Sequence, residues 1–141
     1  MTALASAEVT GVFPYNITTA QVALSRKSMG PSGLICCEQK ICLTNDKSKA
    51  REIARTNLEF YLSLPNYQNN WLRLGFDRSD FENGGSERFL DSMVISGDKN
   101  EIREYAKVVD KIFTGDSVSK EKIAFIKNKS PLVKELIAFL D

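Results

Sequence analysis

The chain has 141 residues, 43% of them apolar and 26% charged, with 19 basic and 18 acidic side chains and a formal net charge of +1. That is enough length for one domain with its own core, and the composition is that of a soluble globular protein. The even charge balance excludes the basic footprint of a nucleic-acid binder, and no stretch reaches the roughly 20 apolar residues of a membrane span.

Histidine is absent, and cysteine occurs three times, at Cys36, Cys37 and Cys42. Without His, no Ser-His-Asp triad, Cys-His pair or His-ligated metal can form within the chain, and no metal is expected. An odd number of cysteines, two of them adjacent, is a poor disulfide framework. They read as reduced, apolar packing residues. Gly84-Gly85-Ser86 is the nearest approach to a phosphate loop and lacks the lysine of one. Met1 to Ala7 has neither a basic start nor a long apolar core, so the expected location is cytoplasmic.

In chain order, Val9 to Tyr15 is a short apolar run that suggests the end of a strand. Thr18 and Gln21 have the spacing of a capping box and open a helix whose face carries Ala20, Ala23 and Leu24. Gly30-Pro31 stops it. Leu34 to Leu43 is the best strand candidate, apolar at both ends and polar in the middle. It fits a barrel strand with a polar mouth, or an edge strand with Glu38 and Lys40 in solvent. Asn45 or Asp46 caps a helix with Ala50, Ile53, Ala54, Leu58, Tyr61 and Leu62 on one face, and Pro65 ends it.

Leu64 to Phe76 is the densest stretch of recognition-type side chains. It holds the only Trp, with Tyr67, Trp71 and Leu74 on one helix face and Gly75 as its stop. Asp77 to Phe81 predicts a further turn. Ser86 caps a helix through Phe89, Leu90, Met93 and Val94 that runs to Gly97. Asp98, with Glu101 at the capping-box position, starts the strongest amphipathic pattern: Ile102, Tyr105, Ala106, Val109, Ile112 and Phe113. Beyond Gly115 the chain turns lysine-rich, and Ser130-Pro131 opens a last short helix through Leu140. The expectation is a single domain over residues 1–141 with roughly six or seven helices and one or two short strands. A lone strand cannot satisfy its backbone, so its partner is the Val9–Tyr15 run, further sequence or another chain.

Leu64 to Phe76 resembles a stretch of the luciferase-like flavin- or deazaflavin-dependent oxidoreductases. Gly11-Val12-Phe13-Pro14-Tyr15-Asn16-Ile17-Thr18, Gly30-Pro31, Leu34 to Leu43, Ala50 to Arg55, Gly84 to Asp91 and Gly97-Asp98 resemble the same family in the same order, covering residues 11–118. The resemblance implies an α/β chain forming the late portion of a (β/α)8 TIM barrel. Such barrels take about 250 residues and seldom fewer than 200, so only the last two or three β/α units would be present, with an inserted helical segment. Residues 119–141 depart from the pattern and read as a divergent helical tail, where a closing strand is expected.

What the resemblance implies is a C-terminal fragment of a flavin- or deazaflavin-dependent oxidoreductase or monooxygenase, not catalytically complete alone. The alternative is a small helix-rich binding or structural module derived from that fold, without catalysis. The implied cofactor is FMN or an 8-hydroxy-5-deazaflavin coenzyme, and a small molecule is the implied substrate of the complete enzyme. Nucleic acid and membranes are not expected partners. Open strand edges predict a homo-oligomer or association with the missing barrel half. Glu38, Asn70 and Arg73 are the candidate cofactor contacts. Glu38 and Gln39 lie near a strand end, Asn66 and Asn70 offer amides, and Arg73 suits an anionic tail or a surface ion pair. Trp71 suits stacking or the core. No motif assigns a catalytic residue.

Overall fold

A computed structural model describes the backbone of residues 8–114 and the side chains of residues 8–107. Gly11–Val12 (β1) leads into helix Thr19–Met29 (α1) and returns as Leu34–Ile35 (β2), which pairs with β1 in parallel, Gly11 opposite Leu34. Parallel pairing needs a crossover of about a dozen residues or more, and α1 supplies it. Gly11 is required by close approach: a Cβ there would lie 2.7 Å from the Leu34 Cβ and carbonyl oxygen. Gly30 ends α1 with φ 71°, its amide donating to the Arg26 carbonyl.

Lys40–Leu43 (β3) pairs in parallel with Val94–Gly97 (β4), Ile41 opposite Ile95 and Leu43 opposite Gly97. The connection is long: Lys47–Leu62 (α2), Pro65–Arg73 (α3), a 3-10 helix at Arg78–Gly84 and Glu87–Met93 (α4). Lys99–Thr114 (α5) follows β4. The described residues therefore form a mixed α/β, helix-rich chain with four short strands rather than one or two. Among them, no helix is long and apolar enough to cross a membrane. The expected tail from Gly115, including Ile123–Ile126 and the Ser130-capped helix to Leu140, lies outside the described residues, as does Met1–Ala7.

Two differences from expectation have clear causes. The predicted strand over 34–43 is two strands, because the polar centre, Cys36 to Gln39, leaves the ladder between them. The helix expected to run from Ser86 to Gly97 stops at Met93, and its last four residues are β4. Val94 and Ile95 are 9% and 2% exposed, so adjacent residues bury opposite faces, as a parallel strand covered on both faces requires. Four apolar-rich residues carry too little periodicity to separate helix from strand.

The helix caps follow local chemistry. Asp46 accepts from the Lys49 amide at 3.1 Å, and Ser86 Oγ accepts from the Phe89 amide at 3.1 Å. Asp98 and Glu101 form the reciprocal box, at 3.0 and 3.1 Å. Each cap satisfies a donor the helix leaves open, for about 1 kcal/mol. Thr18 is the exception. It stands at the N-cap of α1, but its hydroxyl makes no capping bond.

The main core lies within the β3–β4 connection. Ala54, Leu58 and Leu62 of α2 meet Trp71, Leu74, Phe76, Phe89, Leu90, Met93 and Val94. Trp71 and Phe89 are fully buried, with ring centroids 4.8 Å apart at 69°. Side chains of this size each contribute about 1.5–3 kcal/mol on burial. Ile53, expected on the buried face of α2, is 47% exposed. Asp80 anchors the 3-10 helix to this core. Its carboxylate accepts from the Ser86 hydroxyl at 2.5 Å and the Asp77 amide at 2.9 Å and pairs with Arg88. Burial pushes the Asp80 carboxyl up, but the Arg88 guanidinium and these hydrogen bonds outweigh it, and the group sits below its ordinary value.

Candidate functional site

Two segments leave the C-terminal ends of β1 and β2: Phe13 to Thr18, and Cys36 to Gln39. Parallel α/β architectures place ligands at such strand ends. The segments are tied together and to the helices around them. The Trp71 indole N–H donates to the Asn16 carbonyl at 3.0 Å. Thr19 and Tyr105 hydroxyls are 2.9 Å apart, and the Tyr105 hydroxyl donates to Gln39 Oε1 at 3.4 Å. Tyr15 and Tyr61 hydroxyls are 3.2 Å apart. Lys40 Nζ is 5.1 Å from the Tyr15 ring centroid and 2.7 Å from Glu38 Oε1.

Three polar side chains in these segments have buried atoms without hydrogen-bond partners among the described residues. They are Asn16, through both Oδ1 and Nδ2, Thr18 through Oγ1, and Glu38 through Oε2. Asn16 is 3% exposed and Thr18 1% exposed. A buried polar group without a partner costs about 1–3 kcal/mol, and native proteins carry few of them. Two from one short turn, with a third on the neighbouring segment, make a concentrated polar site. Asn16 also holds a left-handed backbone, φ 50°. Asn tolerates this better than most residues.

Three titratable groups here are pushed above their ordinary values. The Tyr61 hydrogen bond, with burial and nearby Glu38, pushes Tyr15 up to about 12. Burial raises Tyr105, against the Thr19 hydrogen bond that lowers it. Burial, with Cys36 alongside, raises the Cys37 thiol. These shifts disfavour the Cys37 thiolate and the Tyr15 and Tyr105 phenolates. The arrangement can present hydrogen-bond donors and acceptors.

A concavity of about 210 Å3 opens elsewhere, at the C-terminal ends of β3 and β4 between Thr44, Lys47, Ser96, Asp98 and Glu101. Asp98 and Glu101 are committed there to capping α5. No group of three or more potential metal ligands occurs among the described residues. Cys36, Cys37 and Cys42 are free thiols.

Of the sequence-derived candidates, Glu38 lies in the polar site, half-buried, with one oxygen paired to Lys40. Asn70 is half-buried on α3, and Arg73 is exposed at the end of that helix. No hydrogen bond or ion pair joins either to Glu38. The contribution of α3 comes from its buried residue, Trp71, through the Asn16 carbonyl. Asn16 and Thr18 escaped the sequence reading because a loop Asn and a helix-start Thr ordinarily serve turns and caps. The absent cap at Thr18 shows only in the folded chain. No family model, curated protein or solved structure matches the chain.

Proposed function

We propose that this chain supplies late β/α units of a luciferase-like barrel oxidoreductase or monooxygenase and binds part of FMN or an 8-hydroxy-5-deazaflavin coenzyme. The observation that carries the reading is the set of unpartnered polar atoms on Asn16, Thr18 and Glu38 at the C-terminal ends of parallel strands. Two successive β–helix–β units with parallel pairing agree with it. The residues fit such a coenzyme in kind. An amide, a hydroxyl and a carboxylate oxygen suit a heterocycle rich in carbonyl and N–H groups. The coenzyme, when bound, would supply the hydride chemistry. Asn16 and Thr18 would orient it, Glu38 would accept from a donor on it or its substrate, and Lys40 would fix Glu38. Asn70 and Arg73 are further contacts in this reading, facing substrate or coenzyme tail.

A barrel needs eight strands, and the described residues carry four. The function therefore requires further strands, from additional sequence or a partner chain, or a homo-oligomer. Leu34, Ile41 and Leu43 are strand residues 59%, 51% and 71% exposed, apolar surface that such an assembly would cover. That strand count also favours the second reading, a helix-rich binding or structural module without catalysis. Titration with FMN and with the deazaflavin coenzyme, followed by coenzyme fluorescence, separates the two. Saturable one-to-one binding of either supports the oxidoreductase reading. Absence of binding by both, in the isolated chain and in its purified assembly, refutes it.

A further inference from the structure

We infer that Cys36 and Cys37 are a redox-active pair that closes to a disulfide between adjacent residues by exchange with a low-molecular-weight disulfide. The inference does not rest on the coenzyme reading. Adjacent cysteines in a regular strand point to opposite faces and cannot meet. Here the pair falls in the Cys36–Gln39 segment, after β2 has ended and before β3 begins, where that alternation lapses. All three cysteines are free thiols, and Cys36 is exposed while Cys37 is half-buried. Cys36 therefore is not the apolar packing residue expected, whereas Cys42 packs against the aromatic core. The adjacent thiols also sense each other: burial, and then Cys36 alongside, raise the Cys37 thiol. Cys37 in turn acts on the Tyr105 phenol, which places it beside the polar site.

The exposed Cys36 sulfur, as thiolate, attacks one sulfur of the incoming disulfide. That S–S bond breaks, and its other sulfur leaves as a thiolate and takes up the proton. Cys37 then gives up its own proton and attacks the Cys36 sulfur of the mixed disulfide, expelling the second small thiol. One disulfide is reduced to two thiols, and two protein thiols are oxidised to one disulfide. Proximity drives the second step, while burial of Cys37 disfavours its thiolate, so closure quickens as pH rises. Adjacent Cα atoms lie about 3.8 Å apart, below the roughly 4.4–6.8 Å usual for bridged cysteines. The closed form is therefore strained and easily reopened, which suits a labile bridge rather than a structural one. The Cys36 amide donates to the Val12 carbonyl at 3.0 Å, so the start of the segment is held. Glu38 follows the pair directly, and Gln39 Oε1 accepts from the Tyr105 hydroxyl. Closing the ring re-aims these two side chains and carries the oxidation state into the polar site.

The test incubates the full chain with oxidised glutathione, blocks remaining thiols and maps tryptic peptides by mass. Trypsin cuts after Lys27 and Lys40, so Cys36 and Cys37 share one peptide and Cys42 lies on the next. The expected result is a Ser28–Lys40 peptide lighter by two hydrogens, with Cys42 still a thiol and full reversal by dithiothreitol. Cys37→Ser should stop at the mixed disulfide and hold glutathione on Cys36 at least about tenfold more than the wild type does. Cys36→Ser should give no closed peptide. Both changes are nearly isosteric, and far-UV circular dichroism checks the fold. A stable glutathione adduct on wild-type Cys36, a bridge to Cys42 or to another chain, or no reaction of the pair overturns the inference.

Discussion

Replacing Trp71 with Phe tests the junction between the aromatic core and the polar turn. Trp71 is 0% exposed, contacts Tyr67, Phe81 and Phe89 with centroids 4.8–5.7 Å away, and donates to the Asn16 carbonyl at 3.0 Å. Phe keeps a six-membered ring but loses the pyrrole portion and the donor. The carbonyl left unpaired in a buried setting costs about 1–3 kcal/mol. The lost apolar area and the residual void add about 1 kcal/mol. The expected destabilisation is therefore about 2–4 kcal/mol. Urea unfolding followed by far-UV circular dichroism reads it directly, because the variant has no Trp fluorescence. Phe89→Leu, which trims a neighbouring buried ring and breaks no hydrogen bond, calibrates the packing share. If Trp71→Phe loses less than about 1 kcal/mol, the indole bond to Asn16 is not holding the turn.

Acid should weaken the 3-10 helix through Asp80. Its folded value lies below the unfolded one, so its contribution is present above the unfolded range and is lost as pH falls through the folded value. Asp80→Asn should cost roughly 1–3 kcal/mol at pH 7, and the penalty should shrink from about pH 4 downward; a pH-independent penalty would contradict the ion-pair assignment. Exposed Ile41 and Leu43 should drive self-association, so sedimentation should give a species larger than a monomer, and a double change of Ile41 and Leu43 to Lys should shift it toward monomer. A wild-type chain that sediments as a clean monomer at high concentration would rule this out.

The elements that were readable from sequence were those decided locally. Asp46, Ser86 and the Asp98–Glu101 box cap their helices as their spacing predicts, because a cap is a contact three residues long. The helix-rich character was readable from the lengths of the periodic runs, while the α/β class was what the resemblance implied. β4 was not, since Val94 to Gly97 has helix-compatible spacing and becomes a strand only by lying beside β3. The break in 34–43 was foreshadowed by the polar centre, but not the separate pairing of its two halves. Within the polar site, Glu38 was visible as a carboxylate near a strand end. Asn16 and Thr18 were not, since what distinguishes them is the absence of side-chain partners once the chain is folded.

The parallel pairing of β3 with β4 has a kinetic consequence. Gln39 and Met93, which bond at the start of that pair, are 54 residues apart. Closing a flexible loop of that length costs about 3.5 kcal/mol in chain entropy from the logarithmic term alone, before any strand contact offsets it. Collapse of α2, α3 and α4 around Trp71 and Phe89 shortens the loop and lowers that barrier, so the sheet follows the helices in time. Pulse-labelled hydrogen exchange should then protect the amides of Leu58 and Phe89 before those of Ile41 and Ile95. The residues that resemble a recognition helix in the sequence would thus act first as the clasp that lets the two strands find each other.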